Sequence, residues 1–387
     1  MALTFLQRRP DSGLGNIKSS PSDPWRNVDW VLVLLQSALA TIGCFVIYSA
    51  SRTKQPDPFQ FVTRQVVFLI GAIVAMVVVM AVDYEALRER ARFLYGVTIM
   101  MLVLVNITGT VSGGARLSFD LGPLKLQPAE FAKATVLLAL AAFLADDRSD
   151  EVSYPRFLGG LIMVGVPSAL IIIQPDLGSS TVLAAMAMGV LLVAGAKPKY
   201  IALISVMTVA TVIAALVSGI ISTYQIGRIR VFFNQDTNDP LLADYVYQPR
   251  NAIRAIATGG ITGKGWLDGP LTNAKNDIPV QWADFPFSAI GEQFGLVGCG
   301  VVLGLFALML LRIWRNAHLS KDMLGTYLCA GVFTMILWQV FQNVAMTIGL
   351  MPVTGLPMPF ISYGGSSLLT FFALLGLVQN VHMRRYR

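Results

Sequence analysis

The sequence predicts an all-α polytopic membrane protein of about ten transmembrane helices, with a long extracytoplasmic loop between spans seven and eight. Three observations predict it. Of 387 residues, 55% are hydrophobic and only 13% charged, against about 25% charged in soluble domains. Apolar runs of about 20 residues recur along the chain, each long enough to cross the hydrocarbon core as a helix. The basic residues gather in alternate connections between these runs, which is how a chain is oriented in a membrane.

Residues 1–28 are polar and rich in Ser, Pro and Arg, and read as a disordered cytoplasmic tail. Residues 29–387 read as a single transmembrane domain. The first apolar run begins near Trp30. Its length of roughly 20 residues exceeds the roughly 7–15 of a signal-peptide core, so it is a retained span. The spans fall near 30–50, 65–83, 93–110, 129–145, 157–174, 177–195, 199–221, 285–311, 322–348 and 365–383. The fourth has the weakest signal, being Ala-rich and carrying Glu130 and Lys133. With the N-terminus inside, the inner connections hold Arg8, Arg9, Lys18 and Arg26, then Arg88, Arg90 and Arg92, then Arg148 and Arg156. Lys197 and Lys199, Arg312, Arg315 and Lys321, and Arg384, Arg385 and Arg387 complete the set. The short outer connections are poor in such residues, and ten spans return the C-terminus to the cytoplasm.

The outer loop 222–284 is too long to be a plain connection. It contains an apolar-periodic piece, Ala252–Ile256, then Gly259, Gly260, Gly263 and Gly265, then Trp266. It reads as short helices on the membrane surface. The glycine-rich stretch is not a phosphate loop: Gly265 follows Lys264 where Ser or Thr is required, and no strand precedes it.

The composition also excludes function classes. A net charge of +7 spread between apolar runs is not a nucleic-acid footprint. Cys44, Cys299 and Cys329 lie in apolar runs and make neither a disulfide framework nor a metal site. Two histidines, His318 and His382, leave no zinc ligand set.

Polar residues collect at the outer ends of spans. Arg64 ends span two, Arg116 lies before span four, and Glu130 and Lys133 open span four. Asp176 lies between spans five and six, Asp284 begins span eight, and Ser362, Tyr363, Gly364 and Gly365 precede span ten. Ionisable residues at such depth are functional candidates by default, and here they converge on one side. Capping is an equal alternative for each carboxylate: Asp284 stands two residues before Pro286, Asp176 follows Pro175, and Glu130 follows Pro128 by two. Arg64 and Arg116 also suit snorkelling anchors. Lys133 resists a bland reading, because a cation in the first turn opposes the helix dipole unless an anion such as Glu130 or a ligand phosphate sits near it. Pro352, Pro357 and Pro359 break any straight helix before span ten, leaving a re-entrant element or a plain turn.

Several stretches together carry a resemblance. They are Gln127-Pro128-Ala129-Glu130-Phe131-Ala132-Lys133, Gln174-Pro175-Asp176-Leu177-Gly178, and Gly259 to Trp266. Asp284-Phe285 followed by Glu292 to Gly298, and Pro357 to Gly365, complete them. In this order the chain resembles the SEDS family, and within it proteins of the RodA, or elongation, type. The resemblance implies a ten-span glycosyltransferase that polymerises lipid II and releases undecaprenyl diphosphate, working with a class B penicillin-binding protein, a transpeptidase. It maps an essential aspartate onto Asp284 and a functional glutamate and lysine onto Glu130 and Lys133. Two departures stand out. Val280 and Ala283 occupy positions where the family has Glu and Thr, and Arg116 is followed by Leu117 rather than Trp.

The expected mechanism makes Asp284 the general base toward an acceptor sugar hydroxyl. Lys133, Arg116 and Arg64 would stabilise the leaving diphosphate, with room for a shared Mg2+ or Mn2+ that no ligand cluster in the sequence demands. A lipid-precursor flippase or other transporter is the alternative from another class, and a non-catalytic scaffold for the transpeptidase is a third.

Overall fold

The computed structural model describes residues 24–112, 115–122, 124–146, 152–217, 223–233, 243–274 and 277–386. Most of the N-terminal tail, with Arg8, Arg9 and Lys18, and also Arg148 and Arg387, lie outside the described residues.

The chain opens with α1 (Trp30–Ser51), α2 (Gln60–Ala81) and α3 (Tyr84–Thr108). Asp29 caps α1, its carboxylate accepting the Leu32 N–H at 3.2 Å. After α3 the chain forms a small antiparallel sheet of β1 (Thr110–Ser112), β2 (Ala115–Leu121) and β3 (Leu124–Leu126), in the order β1-β2-β3. The sequence reading anticipated no strands in this connection before span four. Along β2, Leu117, Phe119 and Leu121 alternate with Arg116, Ser118 and Asp120, the period of a half-buried strand. The run is too short to dominate a reading based on long apolar segments.

Next come α4 (Pro128–Ala145), α5 (Tyr154–Ile173), α6 (Leu177–Val193) and α7 (Pro198–Val217). The long loop carries α8 (Thr223–Phe233), α9 (Ala243–Gly259), α10 (Pro270–Asn273) and α11 (Gln281–Asp284). The bundle closes with α12 (Pro286–His318), α13 (Met323–Thr347) and α14 (Gly365–Met383). Among the described residues, eight helices are long and apolar enough to cross a membrane, and α6 and the Pro198–Met207 part of α7 are apolar but shorter. Each of the ten expected spans overlaps one of α1–α7 and α12–α14, of which α6 and α7 fall short of the length or apolarity of the other eight.

α4, α13 and α14 form the centre, with most of their side chains buried. α2 lies outside them: Val67, Ile70, Val74 and Val78 are each more than half exposed along one face. Such a stripe is stable only against lipid. The chain is a multi-pass membrane protein.

Two breaks interrupt this helical order. In α12, Gly295 adopts φ 64° and ψ −159°, a conformation open essentially to glycine alone. The Gly259–Gly265 stretch meets this break backbone to backbone. Lys264 and Gly265 N–H donate to the Glu292 and Gln293 carbonyls at 2.9 and 3.0 Å, and Leu296 and Val297 N–H donate to Gly260 and Ile261 at 2.9 and 3.1 Å. A Cβ at Gly263 would fall 2.1 Å from the Gln293 oxygen. Gly259, Gly263 and Gly295 permit this close approach, and the freed groups of the break are satisfied.

The second break is the non-helical 352–364 segment between α13 and α14. Amide side chains hold it. Gln339 donates to the Pro357 carbonyl at 2.7 Å and Asn343 to Leu356 at 2.8 Å. Gln65 donates to the Ser362 carbonyl and accepts the Gly364 N–H, each at 3.3 Å. This is irregular backbone tolerated at depth because protein lines it, so the plain-turn reading is set aside.

Candidate functional site around Asp284

Asp284 ends α11, and Phe285, not Asp284, is the N-cap residue of α12, with no side-chain cap bond. The capping alternative therefore fails for this carboxylate. Its side chain is half-buried. Burial pushes the carboxyl above its ordinary range, and the Arg228 guanidinium on α8 opposes that rise. Among the described residues, no donor hydrogen-bonds the Asp284 carboxylate.

The backbone beneath Asp284 is fixed from several directions. Asn343 on α13 donates to the Asp284 carbonyl at 3.0 Å as well as to Leu356. The Tyr363 N–H donates to the Trp282 carbonyl at 3.0 Å. The Phe61 ring lies 4.8 Å from that of Trp282 and 4.9 Å from that of Tyr363. The 352–364 segment thus docks directly on α11.

A second support was not visible in the sequence. Lys54, in the connection after α1, is buried and donates to the Ile278 carbonyl at 2.7 Å and to Gln281 Oε1 at 3.3 Å. Burial lowers its pKa to about 8, with Asp277 and Glu292 opposing. Gln281 Nε2 continues the chain to Ser288 Oγ at 3.0 Å and Thr272 Oγ1 at 3.2 Å. Glu292, fully buried, accepts the Leu271 and Thr272 N–H groups at 2.8 and 2.7 Å and the Thr272 hydroxyl at 2.5 Å. Glu292 lay in a recognised stretch without an assigned task; here it anchors α10 to α12. Lys54 and Arg228 gave no signal, because their partners are distant in sequence.

The other predicted residues are placed as follows. Lys133 and Glu130 pair at 2.7 Å with essentially no exposure, and Lys133 also donates to Gln339 Oε1 at 3.1 Å and lies over the Phe371 ring. Glu130 Oε2 is buried without a partner among the described residues. Gln339 and Asn343 stand one helical turn apart, so the pair sits one turn of α13 below the Asn343–Asp284 contact. Arg64, exposed on α2, places its positive charge beside the Tyr363 side chain. Arg116 donates to the Ile107 carbonyl at the C-terminal end of α3, where a cation suits the helix dipole. Asp176 caps α6, accepting the Ser179 N–H at 2.9 Å and its hydroxyl at 2.7 Å. Ser362 Oγ accepts the Met358 N–H at 2.7 Å, Gly364 meets Gln65, and Gly365 opens α14. The structure therefore gathers Asp284, Arg64 and the 352–364 segment at one end. It buries Glu130 and Lys133 beneath and gives Arg116 and Asp176 helix-end contacts.

This arrangement matches known proteins throughout its length. The FTSW_RODA_SPOVE family, described as cell cycle protein, matches residues 29–387. Stage V sporulation protein E of Bacillus subtilis (strain 168) is 33% identical over 360 residues, 91% of this chain and 96% of that protein. Peptidoglycan glycosyltransferase MrdB of Escherichia coli (strain K12) is 32% identical over 364 residues, 93% of this chain and 94% of that protein. Among solved structures, a chain of a peptidoglycan synthase complex that coordinates polymerization and crosslinking superposes with a TM-score of 0.76 at 30% identity, covering 93% of this chain and 99% of that one. The rod shape determining protein RodA of Thermus thermophilus gives 0.70 at 29% identity, covering 94% and 99%. The chain belongs to the FTSW_RODA_SPOVE family of membrane-spanning cell cycle proteins.

Proposed function

We propose that this chain is a peptidoglycan glycosyltransferase that polymerises lipid II into glycan strands at the outer face of the cytoplasmic membrane, with Asp284 as general base. One observation carries the reading. The Asp284 carboxylate is half-buried, raised in pKa by desolvation, flanked by one guanidinium, and accepts no protein hydrogen bond among the described residues. Such a carboxylate holds a proton more tightly than an ordinary aspartate and is a better base for it.

Asp284 removes the proton of the acceptor sugar 4-hydroxyl as that oxygen bonds to the donor's anomeric carbon. The bond from that carbon to the diphosphate oxygen breaks, and undecaprenyl diphosphate leaves with the electron pair. A single displacement of this kind inverts the anomeric configuration. Of the three cations expected to meet the diphosphate, Arg64 has an exposed guanidinium beside the 352–364 segment. Lys133 acts with Glu130 from beneath, fixing α4 against α13, and Arg116 lies on the sheet edge. Among the described residues, no three His, Cys, Asp or Glu gather as a metal-ligand group. A Mg2+ or Mn2+ shared with a substrate diphosphate needs only one or two carboxylates, and no step is drawn through one.

The N- and C-termini are placed in the cytoplasm. Supporting this, Arg312, Arg88, Lys321 and Arg384 form ion pairs with Asp29, Asp146, Glu85 and Asp83 at the bundle end opposite Asp284. The partner is a class B penicillin-binding protein, a reading supported by the similar synthase complex in which polymerization and crosslinking are coordinated.

The test is to incubate the purified chain with lipid II, alone and with its transpeptidase, and separate the products by size. Glycan strands are expected. Movement of lipid II between leaflets without any polymer would support the carrier reading instead.

A further inference from the structure

Asp284 sits on a single turn of helix, α11, which is too short to hold its own shape. Among the described residues, Gln281 is the one member of α11 whose side chain hydrogen-bonds to the rest of the fold. Its backbone carbonyl accepts the Phe285 N–H at 3.1 Å, directly after Asp284. Whatever fixes Gln281 therefore fixes the turn that carries Asp284.

Gln281 belongs to a chain of hydrogen bonds with an ion at each end. A lysine ammonium only donates and an ionised carboxylate only accepts, so every bond between Lys54 and Glu292 has one direction. Lys54 donates to Gln281 Oε1, which turns the amide so that Nε2 donates to both Thr272 Oγ1 and Ser288 Oγ. The Thr272 hydroxyl then donates to Glu292 Oε2 at 2.5 Å, and the Ser288 hydroxyl to the Phe285 carbonyl at 2.8 Å. One branch ends on α12 and the other on the residue next to Asp284. Lys54, Gln281, Thr272, Ser288 and Glu292 are all buried, and bonds aligned head to tail in a buried site strengthen one another.

The cation's own connection reinforces this hold. Lys54 also donates to the Ile278 carbonyl, just before α11, at 2.7 Å. Arg52, two residues earlier, donates to the Leu267 carbonyl at 2.8 Å and to Asn273 Oδ1 at 3.2 Å. The connection after α1 thus grips α10 and α11 together. An ammonium is costly to bury. What it adds over a neutral donor is a fixed direction to the bonds, since it cannot accept one.

We propose that Lys54 is a positioning residue for polymerisation: by donating to Gln281 it sets the α11 turn, and so the place of the Asp284 carboxylate against the acceptor hydroxyl. The inference rests on the glycosyltransferase reading above and adds to it a residue that acts through Gln281 rather than on the substrate.

The test measures steady-state polymerisation of lipid II by the purified full chain with its transpeptidase, well below the melting temperature of each variant. Lys54→Met keeps the length of the side chain and removes its donors. Its kcat is expected to fall about tenfold, as small displacements of a reacting group do, while KM stays within about twofold. Gln281→Met breaks the same chain and leaves the Lys54–Ile278 bond in place, so it serves alone if Lys54→Met does not fold. The double variant Lys54→Met/Gln281→Met should be no more than about twofold slower than the slower single one, because both changes remove the same link. Wild-type kcat in folded Lys54→Met or Gln281→Met would overturn the assignment. A loss confined to KM would overturn it too, as would losses that multiply in the double variant, since Lys54 would then act independently of Gln281. No polymer from the wild-type chain removes the glycosyltransferase reading and the inference with it. Polymer from wild type with undiminished kcat in the variants removes the inference alone.

Discussion

At the scale of single residues, burial decides the chemistry. Asp284 is raised by desolvation and only partly restrained by Arg228. A base must be ionised, so polymerisation should fall as pH drops through this raised value. The fall should begin above the ordinary Asp range near 4, and the pH–rate profile of lipid II polymerisation measures it. Arg228→Gln removes the opposing charge and should move the acid limb to still higher pH. Lys54 makes the opposite kind of statement. Its folded pKa of about 8 lies below the unfolded value of about 10.4, so the unfolded chain binds more protons between them. Stability from this group is present above about pH 10 and is lost as pH falls through about 8. The melting temperature of wild type relative to Lys54→Met, followed from pH 7 to 10, should therefore rise with pH. Neither Lys54 nor Arg228 was legible in the sequence. Each gains its meaning from partners more than fifty residues away, Gln281 and Ile278 for one and Asp284 for the other. Asp284 was legible because an acid stood alone at a span edge, and only the observed N-cap at Phe285 separates it from a capping residue.

At the scale of elements, the two broken segments hold the site. The Gly295 break and the glycine stretch form one unit, since a Cβ at Gly295 would lie 2.4 Å from the Gly263 nitrogen. Gly295→Ala should cost about 2 kcal/mol or more, from the forbidden conformation alone about 1–3, and thermal unfolding in detergent checks it. Asn343→Leu should leave the Asp284 and Leu356 carbonyls unpaired, at about 1–3 kcal/mol for a buried group, and lower both melting temperature and polymerisation. Proline spacing made the 352–364 break legible, and the glycines near residue 260 signalled a close backbone approach without naming what approaches. The partner, the break in α12, was hidden because Gly295 interrupts an apolar run that otherwise reads as continuous helix. Arg312 and Arg315 similarly end the apolar run near 311 without ending the helix, which continues to His318. Cations near a helix C-terminus favour it.

At the scale of the whole molecule, hydropathy made the bundle legible, because lipid forces apolar faces outward and backbone bonds inward. The sheet at 110–126 escaped it, since its strands are held by pairing rather than by apolar length. The proposed orientation puts the ion pairs opposite Asp284 on the inner side. Cysteine placed at exposed Lys264, beside the glycine stretch, should label with an impermeant maleimide in intact cells, whereas cysteine at exposed Glu89 should label only after permeabilisation. The reverse pattern would turn the molecule over and remove Asp284 from the outer surface.

The account stands on proton removal by one carboxylate. The most direct measurement is the yield of glycan strands from lipid II by purified, folded Asp284→Asn, which keeps the side chain's size and removes its basicity. A drop of about 100-fold or more is expected for loss of a general base. Wild-type yield would contradict the account.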